Sequence, residues 1–179
     1  PPADFERMRR LGYDAAKIHM GWEVEPAPGT FNFDDWRGRF ERIHGQGLNV
    51  AIRNSIWGEA PFLKDKLAPL INATTEKPAT FDMQDPLYIR TVTDYYRAVA
   101  AFAKEFPYVN SINANYGVRQ GSVNHQGGQL LHGPQHAWPH FLAALTQDHS
   151  LAEINTKAGL KLKTISDLTP KMVEADRTG

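Results

Sequence analysis

Short apolar runs alternate with segments of helical period along this chain, and that alternation restricts the fold more than any other feature. Asp4 suits an N-cap, Phe5, Met8 and Leu11 follow at helical spacing, and Gly12 stands at the stop position, so a short helix is expected over 4–11. The run Ala15-Ala16-Lys17-Ile18-His19-Met20 then reads as a strand, and a loop begins near Trp22 because Pro26 and Pro28 exclude regular structure. Asp34 and Asp35 supply acidic caps to a second helix whose Trp36, Phe40 and Ile43 repeat at i, i+4, i+7 until Gly45 and Gly47. Leu48 to about Arg53 is a second strand. Asp85-Pro86 pairs an N-cap with a proline at the first helical position, and Tyr88, Val92, Tyr95, Tyr96, Val99, Phe102 and Ala103 form one apolar stripe behind it. Pro107 ends that helix, and 108–115 reads as a third strand.

Two stretches interrupt this order. Residues 54–84, with Pro61, Pro69 and Pro78, are too long for an ordinary connection and are expected to form a functional loop. Residues 121–133 are polar and rich in glycine. Beyond them Phe141, Leu142 and Leu145 mark a helix, and Ser150-Leu151-Ala152-Glu153 matches a capping box, with Ile154 and Ala158 expected to be buried and Gly159 at the end. Helix alternating with strand is the pattern of a parallel sheet covered by helices, since parallel strands are joined only through crossovers. Three strands cannot close a barrel, and an eight-stranded (β/α) barrel typically takes about 250 residues. The expected fold is therefore α/β, either a small open sheet or part of a larger (β/α)8 barrel.

Charge and composition narrow the function. Lys and Arg number 20 and Asp and Glu 20, so the formal charge is zero and leaves no electrostatic footprint for nucleic acid or an anionic membrane. No apolar run approaches the roughly 18–20 residues that span a bilayer, while 41% hydrophobic residues suffice for a packed core. The expectation is a soluble chain, a secreted or periplasmic location included. Cysteine is absent, which excludes disulfides, thiolate metal sites and a thiol nucleophile and leaves the redox compartment open. The opening Pro1-Pro2-Ala3-Asp4, without an initiator Met, is what a processed or excised piece would show.

In parallel α/β proteins, ligands meet the carboxyl ends of the strands. Here each strand runs into polar or aromatic residues at that end: Trp22, Glu23 and Glu25 after the first, Arg53, Asn54, Trp57 and Glu59 after the second, and Asn113, Asn115, Tyr116, Arg119 and Gln120 after the third. Indoles stack on the C–H faces of a pyranose, and amides and guanidinium groups match its hydroxyls, so the pattern suits a sugar. Each residue also has a plainer reading: Trp22 and Trp57 as caps on the sheet core, Glu23 as a solvated charge, Glu25 as a turn residue, Arg53 as an ion-pair partner. His132, His136 and His140 recur every four residues, but Pro134 and Pro139 break the helix face that a metal would need, and no metal site is expected. His19, on a strand, fits a hydrogen-bonded core histidine. No phosphate-cradling glycine loop, Gly-x-Ser-x-Gly elbow or His-Glu-x-x-His motif occurs, and no cofactor is expected.

Longer stretches are recognisable. Residues 4–14, then Trp22-Glu23-Val24-Glu25-Pro26-Ala27-Pro28-Gly29-Thr30-Phe31-Asn32-Phe33, then Gly47-Leu48-Asn49-Val50 resemble the start of a retaining glycoside hydrolase barrel. They are similar above all to family 42 β-galactosidases and relatives, where an EP-x-x-G-x-F-x-F loop follows the second strand. Phe141-Leu142, Ser150 to Asn155 and Leu168-Thr169-Pro170 resemble the segment beyond the fourth strand of that group. The resemblance implies that residues 1–179 are part of one barrel domain, from about the first helix to just beyond strand four, with a first strand and a seventh-strand nucleophile outside them.

It also implies two catalytic carboxyl groups, the acid/base at the end of strand four. The matching segment, residues 111–121, contains no Glu or Asp. Asn115 takes the acid position under an Asn-Glu-Tyr-Gly reading, and Gln120 lies nearest under a Gly-x-x-Gly-Glu reading. A side-chain amide has no proton to give at neutral pH. An engineered carboxylate-to-amide change and a natural loss of the carboxyl both fit. The expected function is hydrolysis of a β-linked glycan through a glycosyl-enzyme intermediate, with substrate contacts from Trp22, Glu23, Arg53, Asn54, Trp57, Asn113 and Tyr116 and an inactive isolated chain. One rival is a non-catalytic carbohydrate-binding protein that keeps the cleft. Another is a structural domain whose strand-end aromatics are core. Sugar, linkage, anomer and oligomeric state stay open.

Overall fold

The computed structural model describes residues 2–56, 58–113, 125–126 and 129–178. These divide into two compact units, one within residues 1–64 and 90–116, the other within 65–89 and 117–179. No described helix is long and apolar enough to cross a membrane.

The first unit holds α1 (Pro2–Arg10), β1 (Ala15–Met20), α2 (Asp34–Gly45), β2 (Asn49–Asn54), most of the long helix α3 (Pro86–Ala103), and β5 (Val109–Asn113). Its sheet runs β1-β2-β5, and both pairings are parallel, as the βα alternation requires. Ile18 pairs with Ile52 and Ile52 with Ile112, while His19 pairs with Arg53 and Arg53 with Asn113. All three carboxyl ends therefore share one edge. The helix α1 begins earlier than expected, which puts Asp4 in its first turn instead of at the cap.

Alternation along the strands separates two faces. Ala16, Met20, Val50, Ile52 and Asn54 are buried, and the hydroxyl of Tyr95 on α3 reaches this side, donating to the Met20 carbonyl at 3.1 Å. The helix α2 buries Trp36, Phe40 and Ile43, the triplet its spacing marks. Phe40 is enclosed by Phe102 at 5.3 Å and Phe106 at 5.2 Å between ring centroids. Phe33 stacks on Phe102 at 4.4 Å. Aromatic pairs at such separations add about 0.5–1.5 kcal/mol each beyond area burial, so this cluster anchors α2 and α3 beneath the sheet.

The second unit corrects the expectation of a long functional loop over 54–84. That span contains β3 (Pro69–Asn72) and β4 (Pro78–Phe81), an antiparallel hairpin. Both prolines stand at the first residue of their strand, where the missing N–H costs little. With β6 (His125–Gln126) and β7 (Gln129–His132) the hairpin forms a four-stranded antiparallel sheet in the order β4-β3-β7-β6. The glycine-rich stretch 121–133 thus contributes strands.

Two buried carboxylates tie this unit together. Asp82 accepts from the Gln84 amide at 2.9 Å and from Ala137 at 3.0 Å, at the first residue of α4 (Ala137–Asp148). A methyl group on Gly133 would overlap that carboxylate, which is why a glycine stands there. Asp85 accepts from Leu87 and from Ala68, both at 2.8 Å, and so caps α3 while fixing the start of β3.

The helix α5 (Leu151–Ala158) begins with the expected capping box: Ser150 Oγ accepts from the Glu153 amide and Glu153 Oε2 accepts from the Ser150 amide. Those bonds from the Ser150 amide and hydroxyl hold the Glu153 carboxyl below its ordinary pKa. Gly159 ends the helix with φ +63°. Ile154 is buried as expected, with Leu162 and Leu168, whereas Ala158 is only half-buried. The tail, unassigned from sequence, forms α6 (Pro170–Thr178), whose Glu174 accepts from the Leu130 amide of β7 at 3.2 Å.

Candidate functional site

The carboxyl edge of the parallel sheet is built from β1, β2 and β5 and the loops that leave them. Ser55 N donates to the carbonyl of Met20, the last residue of β1, at 2.6 Å, which carries the ladder one residue past the end of β2. A 3₁₀ turn over Trp22–Val24 follows β1 directly, and Glu25, Gly29 and Asn32 close the loop behind it.

Trp22 is 8% exposed and meets Tyr95 edge-on at 5.2 Å, and its indole N–H donates to the Gly58 carbonyl at 3.3 Å. Its ring is committed to packing beneath the edge. Asn54, with no exposed surface, donates through Nδ2 to the Asn113 carbonyl and accepts from the Tyr95 hydroxyl, both at 3.3 Å. This amide bridges β2 to β5 and both to α3. Burial, and then the negative charge of Glu23, pushes the Tyr95 hydroxyl well above the ordinary phenol range, so it stays a donor.

Glu23 is exposed and its Oε1 accepts from the Gly21 amide at 3.0 Å. Glu25, 2% exposed, accepts from the Gly29 amide at 3.0 Å through Oε1, while its Oε2 is buried without a hydrogen bond among the described residues. Burial raises the Glu25 pKa against the pull of the Gly29 bond, and the Asp94 carboxylate adds to the rise. Glu25 thus closes the EP-x-x-G turn and faces inward.

The other face of the sheet presents a different set. Lys17, Ala51 and Ser111 form one row across the three strands, and His19, Arg53 and Asn113 form the next row toward the carboxyl edge. Arg53 is half-buried, and Lys17, His19, Ser111 and Asn113 are exposed. His19 Nδ1 lies 2.8 Å from the Ser55 hydroxyl. The structure therefore brings Arg53 and Asn113 together and adds His19 and Ser55, which inspection of single strand ends misses. The signal was present in the parity of positions: residues 17 and 19 alternate with buried 16 and 20, as 53 and 55 do with buried 52 and 54.

Trp57, Asn115, Tyr116 and Gln120 lie outside the described residues. The three periodic histidines do not share a helix face: His132 ends β7, His136 precedes α4 and His140 lies within it. Among the described residues no group of three or more His, Asp or Glu is set to hold a metal ion.

No family model and no curated protein matches the chain. Solved structures do. The catalytic domain of β-amylase from Paenibacillus polymyxa aligns over 94% of this chain and 48% of its own, with 16% identity and TM-score 0.63. Gan42B, a GH42 β-galactosidase from G. stearothermophilus, aligns over 93% of this chain and 25% of its own, with 15% identity and TM-score 0.66. β-Galactosidase from the psychrophilic Marinomonas ef1 aligns over 93% and 27%, with 17% identity and TM-score 0.64. The chain spans a quarter to a half of the length of these structures, and its fold is similar to that part of a glycoside hydrolase.

Proposed function

We propose that residues 1–179 form part of one (β/α)8 glycoside hydrolase domain acting on a β-linked glycan, with the acid/base position held by an amide. The observation that carries this reading is the polar row His19–Arg53–Asn113, which crosses the carboxyl edge of a parallel sheet where substrate meets such folds. Arg53 and the Asn113 amide supply donors, and Glu23 supplies acceptors, for sugar hydroxyls. In the retaining mechanism one carboxyl group protonates the leaving oxygen and a second, about 5–5.5 Å away, attacks the anomeric carbon. Asn115 or Gln120 at the first position binds the glycosidic oxygen without protonating it, and the nucleophile is assigned to a strand outside the chain.

The absence of Glu and Asp from residues 111–121 favours a second reading, a carbohydrate-binding protein that keeps the cleft and performs no hydrolysis. Titration of the isotopically labelled chain with β-linked disaccharides tests the part common to both. Shifts are expected at His19, Arg53 and Asn113 and are expected to weaken about tenfold in Arg53→Gln, the loss of one charged hydrogen bond. Shifts confined to the second unit, or none, refute a glycan site at this edge.

A further inference from the structure

The exit of β1 is built around a glycine. A Cβ on buried Gly21 would stand 2.7 Å from Glu23 Oε2 and 3.2 Å from the Ser55 carbonyl, so the bare Cα lets the chain leaving β1 pass close against the end of β2. The Ser55 backbone is pinned there a second time, by the bond of its amide to the Met20 carbonyl. Its hydroxyl therefore projects from a fixed point, and His19 Nδ1 lies 2.8 Å from it. An exposed histidine on a strand has several rotamers open to it, and a bond to an anchored hydroxyl selects one.

We propose that Ser55 is a positioning residue for the glycan site: the N–H at His19 Nδ1 donates to the Ser55 hydroxyl, and His19 Nε2 is thereby left as an acceptor for one sugar hydroxyl. The inference rests on the glycan reading above and adds to it the residue that sets what His19 offers. A neutral imidazole has one donor and one acceptor, and the bond made by one nitrogen fixes the role of the other. Arg53 is paired beside His19 on β2, and Lys17 precedes His19 by two residues on the same face of β1. Both are donors only, so a lone pair at Nε2 is favoured beside their charge, whereas an N–H there would repeat what they already supply. Glu23, whose Oε1 accepts from the Gly21 amide, is the next acceptor along the edge. A sugar hydroxyl donates and accepts, and a ring carrying several of them meets acceptors at His19 and Glu23 and donors at Arg53 and Asn113.

Two readouts on the 179-residue chain test this. Long-range proton–nitrogen NMR at about pH 8, where an ordinary histidine is neutral, identifies the ring nitrogen of His19 that carries the proton. The proton is expected on Nδ1 in the native chain and in Ser55→Thr, and on Nε2, the form a free histidine side chain favours in water, in Ser55→Ala. Affinity for a β-linked disaccharide is expected to fall about threefold to tenfold in Ser55→Ala, to recover in Ser55→Thr, and to fall no further when Ser55→Ala is added to His19→Ala. A hydroxyl that merely supports the fold would move neither the tautomer nor this coupling. A proton on Nε2 in the native chain, or additive losses in the double variant, overturns the inference. So does undiminished binding by Ser55→Ala where Arg53→Gln still weakens it, and in each of these cases the glycan reading stands. Failure of the native chain to bind the disaccharide removes the glycan reading and the inference together.

Discussion

At the scale of the residue, the first unit depends on polar atoms that are buried and paired. Tyr95 is fully buried, and its hydroxyl donates to the Met20 carbonyl and lies 3.3 Å from Asn54 Oδ1. Tyr95→Phe leaves both acceptors without that donor, and the expected cost is about 1–3 kcal/mol in urea denaturation with an unchanged m value. Glu25 behaves oppositely, because its ionised form is the one the fold disfavours. A carboxyl whose pKa is higher folded than unfolded binds more protons in the folded state, so stability falls as pH rises from the unfolded value to the folded one and is level on either side. Glu25→Gln keeps an acceptor for the Gly29 amide and removes the charge. Its stability relative to the native chain is therefore expected to be greater at about pH 8 than at about pH 4, where the native carboxyl is largely protonated. A constant difference between the two pH values would remove the burial argument. The sequence offers Glu25 beside Pro26 as a turn residue, which it is, but says nothing of its burial or of the Asp94 carboxylate near it, which stands on α3 about seventy positions away.

At the scale of the element, legibility followed locality. The helices α2, α3 and α5 were readable because their period, caps and stop residues lie within a dozen positions, and β1 was readable because a compact apolar run follows a turn signal. The antiparallel sheet was not. β3 and β4 are four residues each, both begin with proline, and β3 finds its second partner across the chain, Ile71 pairing with His132. Pairing over such a separation leaves no period in either segment. The same long-range economy explains Asp82, whose carboxylate joins the end of β4 to the start of α4. Asp82→Ala deprives the Gln84 and Ala137 amides of their acceptor in a buried setting, at an expected cost of about 2–4 kcal/mol summed over the two. Ser150→Ala, which removes the side-chain half of an exposed capping box, is expected to cost about 1 kcal/mol. Thermal or urea denaturation of the two variants ranks them, and an equal loss would show that Asp82 does no more than an ordinary cap.

For the whole molecule, sequence and structure agree on a parallel sheet whose carboxyl edge is polar, and they divide on which side chains face outward there. Trp22 and Asn54, attractive as sugar contacts by position, are drawn beneath the edge by Tyr95, whereas Arg53 and Asn113 stay on the accessible face. Parity along a strand decides this, and parity can be fixed only when the register between strands is known. The chemistry expected of such an edge then turns on protons. A disaccharide with an ordinary sugar leaving group needs a general acid, whereas a dinitrophenyl β-glycoside has so acidic a leaving group that a nucleophile alone suffices. Because residues 111–121 offer amides and no carboxyl, and the nucleophile is assigned outside the chain, the 179 residues are expected to hydrolyse neither substrate while still binding the disaccharide. Turnover of the dinitrophenyl glycoside alone would place a nucleophile within these residues. Turnover of the disaccharide would place both groups there and would refute the assignment of Asn115 or Gln120 to the acid position.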